Sequence, residues 1–264
     1  MTARVCVLGP SGRMGRALID AEGSADVTIV AAVDRPGSHV IGRDVARGVV
    51  ATTDLAAALE KADVYIDFTT PEGTLAAAHT ATTAAARKVA AVIGTTGLSA
   101  DANAAIGELA RVAPVVVAAN FSLGLNLVLG LVRQAARVLG PDWDAEVVET
   151  HHRAKRDAPS GTALAIARAI AAGHGTDYEG VKRHGRDGDV GARPRGEIGV
   201  SAVRGGDVVG EHVAYFFGPA ERIEIAHRAS SRAIFAAGAL RAAEWVVGKP
   251  PGRYEMLDVL GFTA

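Results

Sequence analysis

The sequence predicts an α/β chain, with a parallel-sheet first domain and a sheet-rich α+β second domain. Three observations carry that expectation. Short runs dense in Val, Ile and Ala alternate with alanine-rich helical runs through the first half, as in a parallel sheet buried on both faces. A glycine loop follows the first of these runs directly. Beyond Gly196 the pattern changes to longer strand-like runs separated by glycine turns.

In chain order, Val5 to Leu8 reads as a strand ending in Gly9-Pro10-Ser11-Gly12-Arg13-Met14-Gly15, with a helical pattern to about Glu22. Glycines at this spacing permit a tight turn and let backbone approach a pyrophosphate at a helix N-terminus. A second strand, Val27 to Val33, ends in Asp34, where dinucleotide folds place an acidic residue against the adenine ribose. Arg35 follows. A carboxylate favours the free ribose hydroxyls of NADH and a guanidinium the 2′-phosphate of NADPH, so the pair leaves both cofactors open.

Further strands are expected at Val64 to Phe68, Val89 to Ile93 and Val115 to Ala119, each followed by a loop. Helices are expected to about Arg87 and from about Ala100 to Val112. The loops Gly94-Thr95-Thr96-Gly97 and Asn120-Phe121-Ser122 then fall at strand ends, where such sheets bind ligands. Leu123 to about Leu139 reads as a long helix near whose start the chain leaves the first domain. Ala145 to Glu149 reads as a strand delivering His151 and His152 to its end.

A helix is expected over Leu164 to Ala172, closed by Gly173 and with Pro159 near its first turn. The glycine-rich, charged segment Gly173 to Gly196 reads as an extended loop with solvated arginines. Ile198 to Val203, Val208 to Phe217 and Arg222 to Ala226 read as antiparallel strands. Ser230 or Ser231 caps a last helix from about Arg232 to Val247, before a packed tail.

Composition narrows the function classes. A chain of 264 residues, 49% hydrophobic, can bury a proper core. A net charge of -1 with both signs scattered gives no sign of a general nucleic-acid or membrane surface, so any basic patch is local and specific. The single cysteine, Cys6, lies in an apolar run; it fits a reducing compartment and a buried structural role. With no apolar leader or membrane-spanning run, the expected location is the cytoplasm.

Chemistry concentrates in Glu149 to Ala163, ETHHRAKRDAPSGTA. Histidine exchanges protons near neutral pH, and lysine supplies positive charge or a proton. Helix-start N–H groups beside Ser160, Gly161 and Thr162 suit a carboxylate or phosphate. The stretch reads as a site that reacts an acidic small molecule, without a metal.

This block resembles the signature of the 4-hydroxy-tetrahydrodipicolinate reductase family, long called dihydrodipicolinate reductases: E, a small residue, then HHxxKxDxPSGTA. The similarity extends in order through GPSGRMGR, DFTxPEG at Asp67 to Gly73, IGTTG at Ile93 to Gly97, ANFS at Ala119 to Ser122, RGGDVVGEH at Arg204 to His212 and HRASSR at His227 to Arg232. The resemblance implies a Rossmann-like dinucleotide domain at 1–122, a substrate and oligomerisation domain at 123–232, and a segment 233–264 returning to the first domain. It implies NADH- or NADPH-dependent reduction of a small dicarboxylate on the diaminopimelate route to lysine, by a homotetramer. His151 is implied as the acid/base residue and Lys155 as the proton donor, with His152, Ser160, Gly161 and Thr162 on the substrate. Cofactor contacts are implied from Gly9, Pro10, Ser11, Gly12, Arg13 and Met14, from Asp34 and Arg35, from Gly94, Thr95 and Thr96, and from Ala118, Ala119, Asn120 and Phe121. Aspartate or homoserine dehydrogenases share this domain plan, and a nucleotide sensor would keep the first domain. Neither requires HHxxK together with PSGT.

Overall fold

The structure is a computed structural model describing residues 2–83, 88–231 and 233–262. Two compact units divide the chain, Met1–Leu123 with Ala233–Ala264 and Gly124–Arg232.

The first unit contains β1 (Ala3–Leu8), α1 (Arg13–Asp20), β2 (Val27–Val33), the short pair β3 (Asp44–Ala46) and β4 (Val49–Val50), and α2 (Leu55–Glu60). Next come β5 (Val64–Asp67), α3 (Pro71–Thr83), β6 (Ala90–Ile93), α4 (Ala100–Val112) and β7 (Pro114–Val117). The expected continuation of α3 toward Arg87 lies outside the described residues. β5 and β6 are buried at every position, which is why they read as apolar runs rather than alternating ones, with the buried Asp67 closing β5. Ser99 ends one of these loops and starts α4, its hydroxyl accepting the Ala102 N–H at 3.1 Å.

The second unit takes up α5 (Leu123–Leu139) from Gly124, then β8 (Asp144–His151), α6 (Gly161–His174), α7 (Tyr178–Val181), β9 (Lys182–His184), β10 (Ile198–Arg204), β11 (Gly210–Gly218) and β12 (Glu221–Ala229). The chain then supplies α8 (Ala233–Val246), β13 (Gly252–Tyr254) and α9 (Met256–Val259) to the first unit. The described part of the last helix starts at Ala233, the expected Arg232 lying outside the described residues.

In the first sheet the order is β13-β7-β6-β5-β1-β2, every pairing parallel. α8 covers one face, burying Ala236, Ala239, Leu240, Ala243 and Val246 against Val5, Val7, Ile66 and Val92. Gly238 is obligatory in that packing, since a Cβ there would sit 2.8 Å from the Phe121 carbonyl carbon and overlap its oxygen. Cys6 is fully buried, and burial pushes its thiol up to about 12.

The second sheet has the order β12-β11-β8-β10-β9. β10 runs parallel to β8, and β8 lies between β10 and β11, so β10 and β11 run antiparallel as expected but do not pair, and Gly205-Gly206-Asp207 closes no hairpin. It crosses the end of β8 instead, where His152 N–H donates to Val208 O at 2.8 Å and Gly205 N–H to His151 O at 3.0 Å. The expected extended loop over Gly173 to Gly196 is corrected in its first part, which ends α6 and forms α7 and β9, while residues 185–197 are loop; Arg186 and Arg193 in that loop are engaged rather than solvated. Arg193 donates to Asp144 at 2.7 Å and to the Ala145 carbonyl at 3.0 Å, while Arg186 bridges Glu146 and Glu197.

α6 continues past Gly173 to a left-handed Gly175 with φ +69°. Gly173 is a packing residue, because a Cβ there would lie 2.7 Å from Ala136 Cβ and overlap Arg133 O. Pro159 stands outside the helix, before the N-cap Ser160. Among the described residues no helix is long and apolar enough to cross a membrane.

Candidate active site

β8 alternates half-buried and buried positions along its eight residues, so Glu149 and His151 point to the same buried face. Glu149 is 0% exposed. Two nitrogens lie within hydrogen-bond distance of each of its oxygens. Oε1 takes the Ser160 backbone N–H at 2.9 Å and Arg204 Nη2 at 2.8 Å, while Oε2 takes Arg204 Nη1 at 2.7 Å and faces His151 Nδ1 at 2.6 Å. Burial works to raise the Glu149 carboxyl, but Arg204, His151 and the Ser160 N–H outweigh it and hold it below the usual carboxylate range.

Strand register brings these groups together. Arg204 pairs with His151 across β10 and β8, and His212 with Glu149 across β11 and β8. The His212 ring meets His151 edge to face at 5.1 Å, and its Nε2 shares a 3.1 Å hydrogen bond with Ser160 Oγ. Burial, then the neighbouring His151, pushes His212 down to about 4, so it is neutral at pH 7.

Ser160 caps α6 through Oγ, which accepts the Ala163 N–H at 3.1 Å. No acidic side chain occupies the first turn of α6, and Gly161 is exposed with open space where a Cβ would stand. Gly161 and Thr162 therefore carry first-turn N–H groups of the kind that can hold an anion. In the loop before the cap, Lys155 Nζ pairs with Asp157 Oδ1 at 3.0 Å, its side chain 21% exposed. His152 is half-buried at the end of β8. His151, His152, Lys155, Ser160, Gly161 and Thr162 all belong to the second unit.

The other expected residues gather in the first unit, beyond the ends of β1, β2, β6 and β7. Gly9 has φ +72° and donates its N–H to Val33 O at 2.8 Å. Gly12 caps α1 with no side-chain acceptor. A Cβ at Gly15 would sit 2.7 Å from Pro10 Cα and overlap Gly9 O, so this glycine lets the helix start close under the loop. Ser11 N–H and Arg35 N–H donate to Asp34 at 3.0 and 2.8 Å. Burial works to raise Asp34, yet these bonds hold it below the usual range, while Arg35 is exposed.

Gly94 and Thr95 are buried and Thr96 exposed. Asn120 turns inward, Oδ1 accepting the Ser122 N–H at 2.8 Å. Phe121 is 1% exposed and packs edge to face on Phe68 at 5.3 Å, leaving backbone as what it can offer a ligand. Pro10 is also buried, whereas Ser11, Met14 and Ala118 are half-buried and Arg13 and Ala119 exposed.

Residues 3–121 match the family described as "Dihydrodipicolinate reductase, N-terminus", and residues 124–260 its C-terminal counterpart. This chain belongs to the dihydrodipicolinate reductase family. A relative from Alkalilimnicola ehrlichii named 4-hydroxy-tetrahydrodipicolinate reductase is 50% identical, over 99% of this chain and 100% of that one. Another of the same name, from Geobacter sulfurreducens, is 46% identical over 98% of both. Among solved structures, a dipicolinate-bound dihydrodipicolinate reductase from Paenisporosarcina superposes with a TM-score of 0.80 at 26% identity, covering 98% of this chain and 99% of that one.

The reductase-family signature includes Glu149, and RGGDVVGEH includes Arg204, Gly210 and His212, yet the spacing of neither block reveals that they meet. The available signal was a charged residue at an inward position of β8, which requires a buried partner.

The two buried titratable groups set an acid limit on stability. Between about pH 6.5 and about 4 an unfolded chain protonates position 212 while the folded chain does not. Folding free energy therefore falls as pH drops through that window, by about 3 kcal/mol for a shift of this size. Glu149, held low, adds a further loss as pH falls through its folded value. The urea midpoint is expected to drop between pH 7 and pH 4.5, and to drop less in His212→Asn. An equal drop in both proteins would remove His212 as a source.

Proposed function

We propose that this protein reduces 4-hydroxy-tetrahydrodipicolinate to tetrahydrodipicolinate, with loss of water and oxidation of NADH or NADPH, on the diaminopimelate route to lysine. The observation that carries the reading is the second-unit constellation of His151 on Glu149, Lys155, and the open start of α6 at Gly161. It occurs in a chain about half identical to reductases of that name.

The first unit fits a dinucleotide. Gly9, Gly12 and Gly15 leave room for backbone to meet a pyrophosphate at the uncapped start of α1, and ionised Asp34 stands where ribose hydroxyls need an acceptor. Gly9 to Met14, Asp34, Arg35, Gly94 to Thr96 and Ala118 to Phe121 are the residues assigned to hold it. The bound nicotinamide supplies a hydride.

The protein's own residues do the rest. A dicarboxylate is held by the α6 N–H groups at Gly161 and Thr162, by the Ser160 end of that helix and by Lys155 and His152. Hydride arriving on a conjugated imine leaves electron density on the ring, and a proton must quench it. His151 and Lys155 carry that proton. Dipicolinate, which the Paenisporosarcina enzyme binds, is the natural unreactive probe for this pocket.

Residues 1–122 and 233–264 are assigned to the cofactor and 123–232 to substrate and assembly. A cytoplasmic homotetramer completes the proposal. Its support is family similarity and the exposure of Val203, Phe217 and Ile223 in the second sheet, apolar surface that a second copy would cover.

A coupled assay tests the reaction. Pyruvate and aspartate semialdehyde are condensed in place, because the substrate is labile, and NADH or NADPH absorbance is followed. Prompt oxidation that needs this protein is expected, and the ratio of the two rates assigns the preference that Asp34 and Arg35 leave open. Cofactor binding without oxidation would overturn the reading.

A further inference from the structure

Glu149 is fully buried, and three N–H donors and His151 Nδ1 surround its two oxygens. An ionised carboxylate only accepts. The group facing it from His151 is Nδ1, at 2.6 Å, so Nδ1 must carry a proton whenever the carboxylate is charged. The nitrogen left to gain or lose a proton is Nε2.

The surroundings of Nε2 differ from those of Nδ1. Its neighbour on β11 is Gly210, and a Cβ built there would lie 3.0 Å from Nε2 and 3.4 Å from Cδ2. Gly210 has no positive φ and opens β11 as its first residue, so backbone conformation does not demand glycine. What a side chain would do is cover the one nitrogen that Glu149 leaves available.

Arg204 completes the arrangement. A bare carboxylate beside a site for a dicarboxylate would repel the substrate. The bidentate guanidinium at 2.7 and 2.8 Å cancels that charge without taking the proton from Nδ1. Arg204 also donates to the Asp157 carbonyl at 2.7 Å, tying the loop between Lys155 and Ser160 to the same carboxylate.

We propose that Glu149, clamped by Arg204, is a positioning residue that fixes a proton on His151 Nδ1 and makes Nε2 the nitrogen that exchanges protons with the substrate, with Gly210 keeping Nε2 uncovered. The same carboxylate holds the Ser160 N–H, so the imidazole and the start of the anion-binding helix share one anchor. The catalytic part rests on the function proposed above, whereas the tautomer does not.

The test is nitrogen-15 NMR of the full-length protein labelled in its histidine rings, with His151 assigned by its absence from His151→Gln. The neutral His151 ring is expected to show protonated Nδ1 and bare Nε2. Glu149→Gln is expected to lose that single pattern and to lower kcat about 10²-fold, leaving KM and cofactor affinity within about threefold. Gly210→Ala is expected to keep the nitrogen pattern while lowering kcat about 10-fold.

A wild-type ring protonated on Nε2 alone, or full turnover in Glu149→Gln or in Gly210→Ala, would overturn the proposal. Should Glu149→Gln not fold, the wild-type spectrum and Gly210→Ala still decide. A wild type with the expected spectrum but no reductase activity would sink the reaction and leave the tautomer assignment standing.

Discussion

Turnover is expected to fall about 10³-fold in His151→Gln and in Lys155→Ala, the scale lost when a positioned proton donor is removed. Both variants should remain folded. A glutamine amide at position 151 can still donate to Glu149, so the buried carboxylate keeps a partner in place of the imidazole at 2.6 Å. Removing Lys155 releases Asp157, whose side chain is 62% exposed and is solvated by water, so losing the pair costs the fold little. Calorimetry should therefore show nearly unchanged unfolding, and cofactor affinity should hold because both residues lie in the unit that lacks the glycine loop. Near-normal turnover in both variants would mean that the ring is protonated by another group.

Gly15→Ala is expected to act on the other half of the chemistry. The added methyl would overlap Gly9 O and stand 2.7 Å from Pro10 Cα, both backbone atoms, so the glycine loop itself must move. Overpacking of this kind costs about 1–3 kcal/mol, and the displaced loop no longer presents its N–H groups at the start of α1. NADH and NADPH affinity should each fall by about 10²-fold or more, the weight of several lost charge-assisted hydrogen bonds. Dipicolinate affinity should stay close to wild type, since its proposed residues belong to the other unit. Calorimetric titration with each ligand separates the two effects. Retained cofactor affinity would show that this loop is not where the pyrophosphate lies.

The legible parts of the chain were those whose cause is local. β1, β5 and β6 announce themselves because strands covered on both faces are apolar at nearly every position, Arg4 and Asp67 falling near their ends. The start of α6 was legible because capping chemistry sits in a few consecutive residues, Ser160 through Ala163. His151, Lys155 and the PSGT cap could be read together for the same reason.

Non-local causes hid the rest. Gly173 and Gly175 look alike as helix terminators, and only contact with α5 shows that the first is a packing residue. The strands on either side of Gly205-Gly206-Asp207 were legible, but not that β8 occupies the place between them. α7 and β9 are short and largely exposed, so they carry no periodicity to detect. Arg204 and His212 join Glu149 only through strand register, which no local pattern encodes.

The return of α8 to the first sheet has a consequence for how the protein is made. A ribosome releases the chain from its N-terminus, so every strand of the first sheet except β13 emerges before the helix that covers one of its faces. Val5, Val7, Ile66 and Val92 must wait for Ala236 to Val246, and by then all of residues 124–231 have left the exit tunnel. The inserted unit has its full complement of elements first, and the unit that begins the chain is the last to be completed. Its half-covered apolar sheet is the nascent surface most in need of a chaperone.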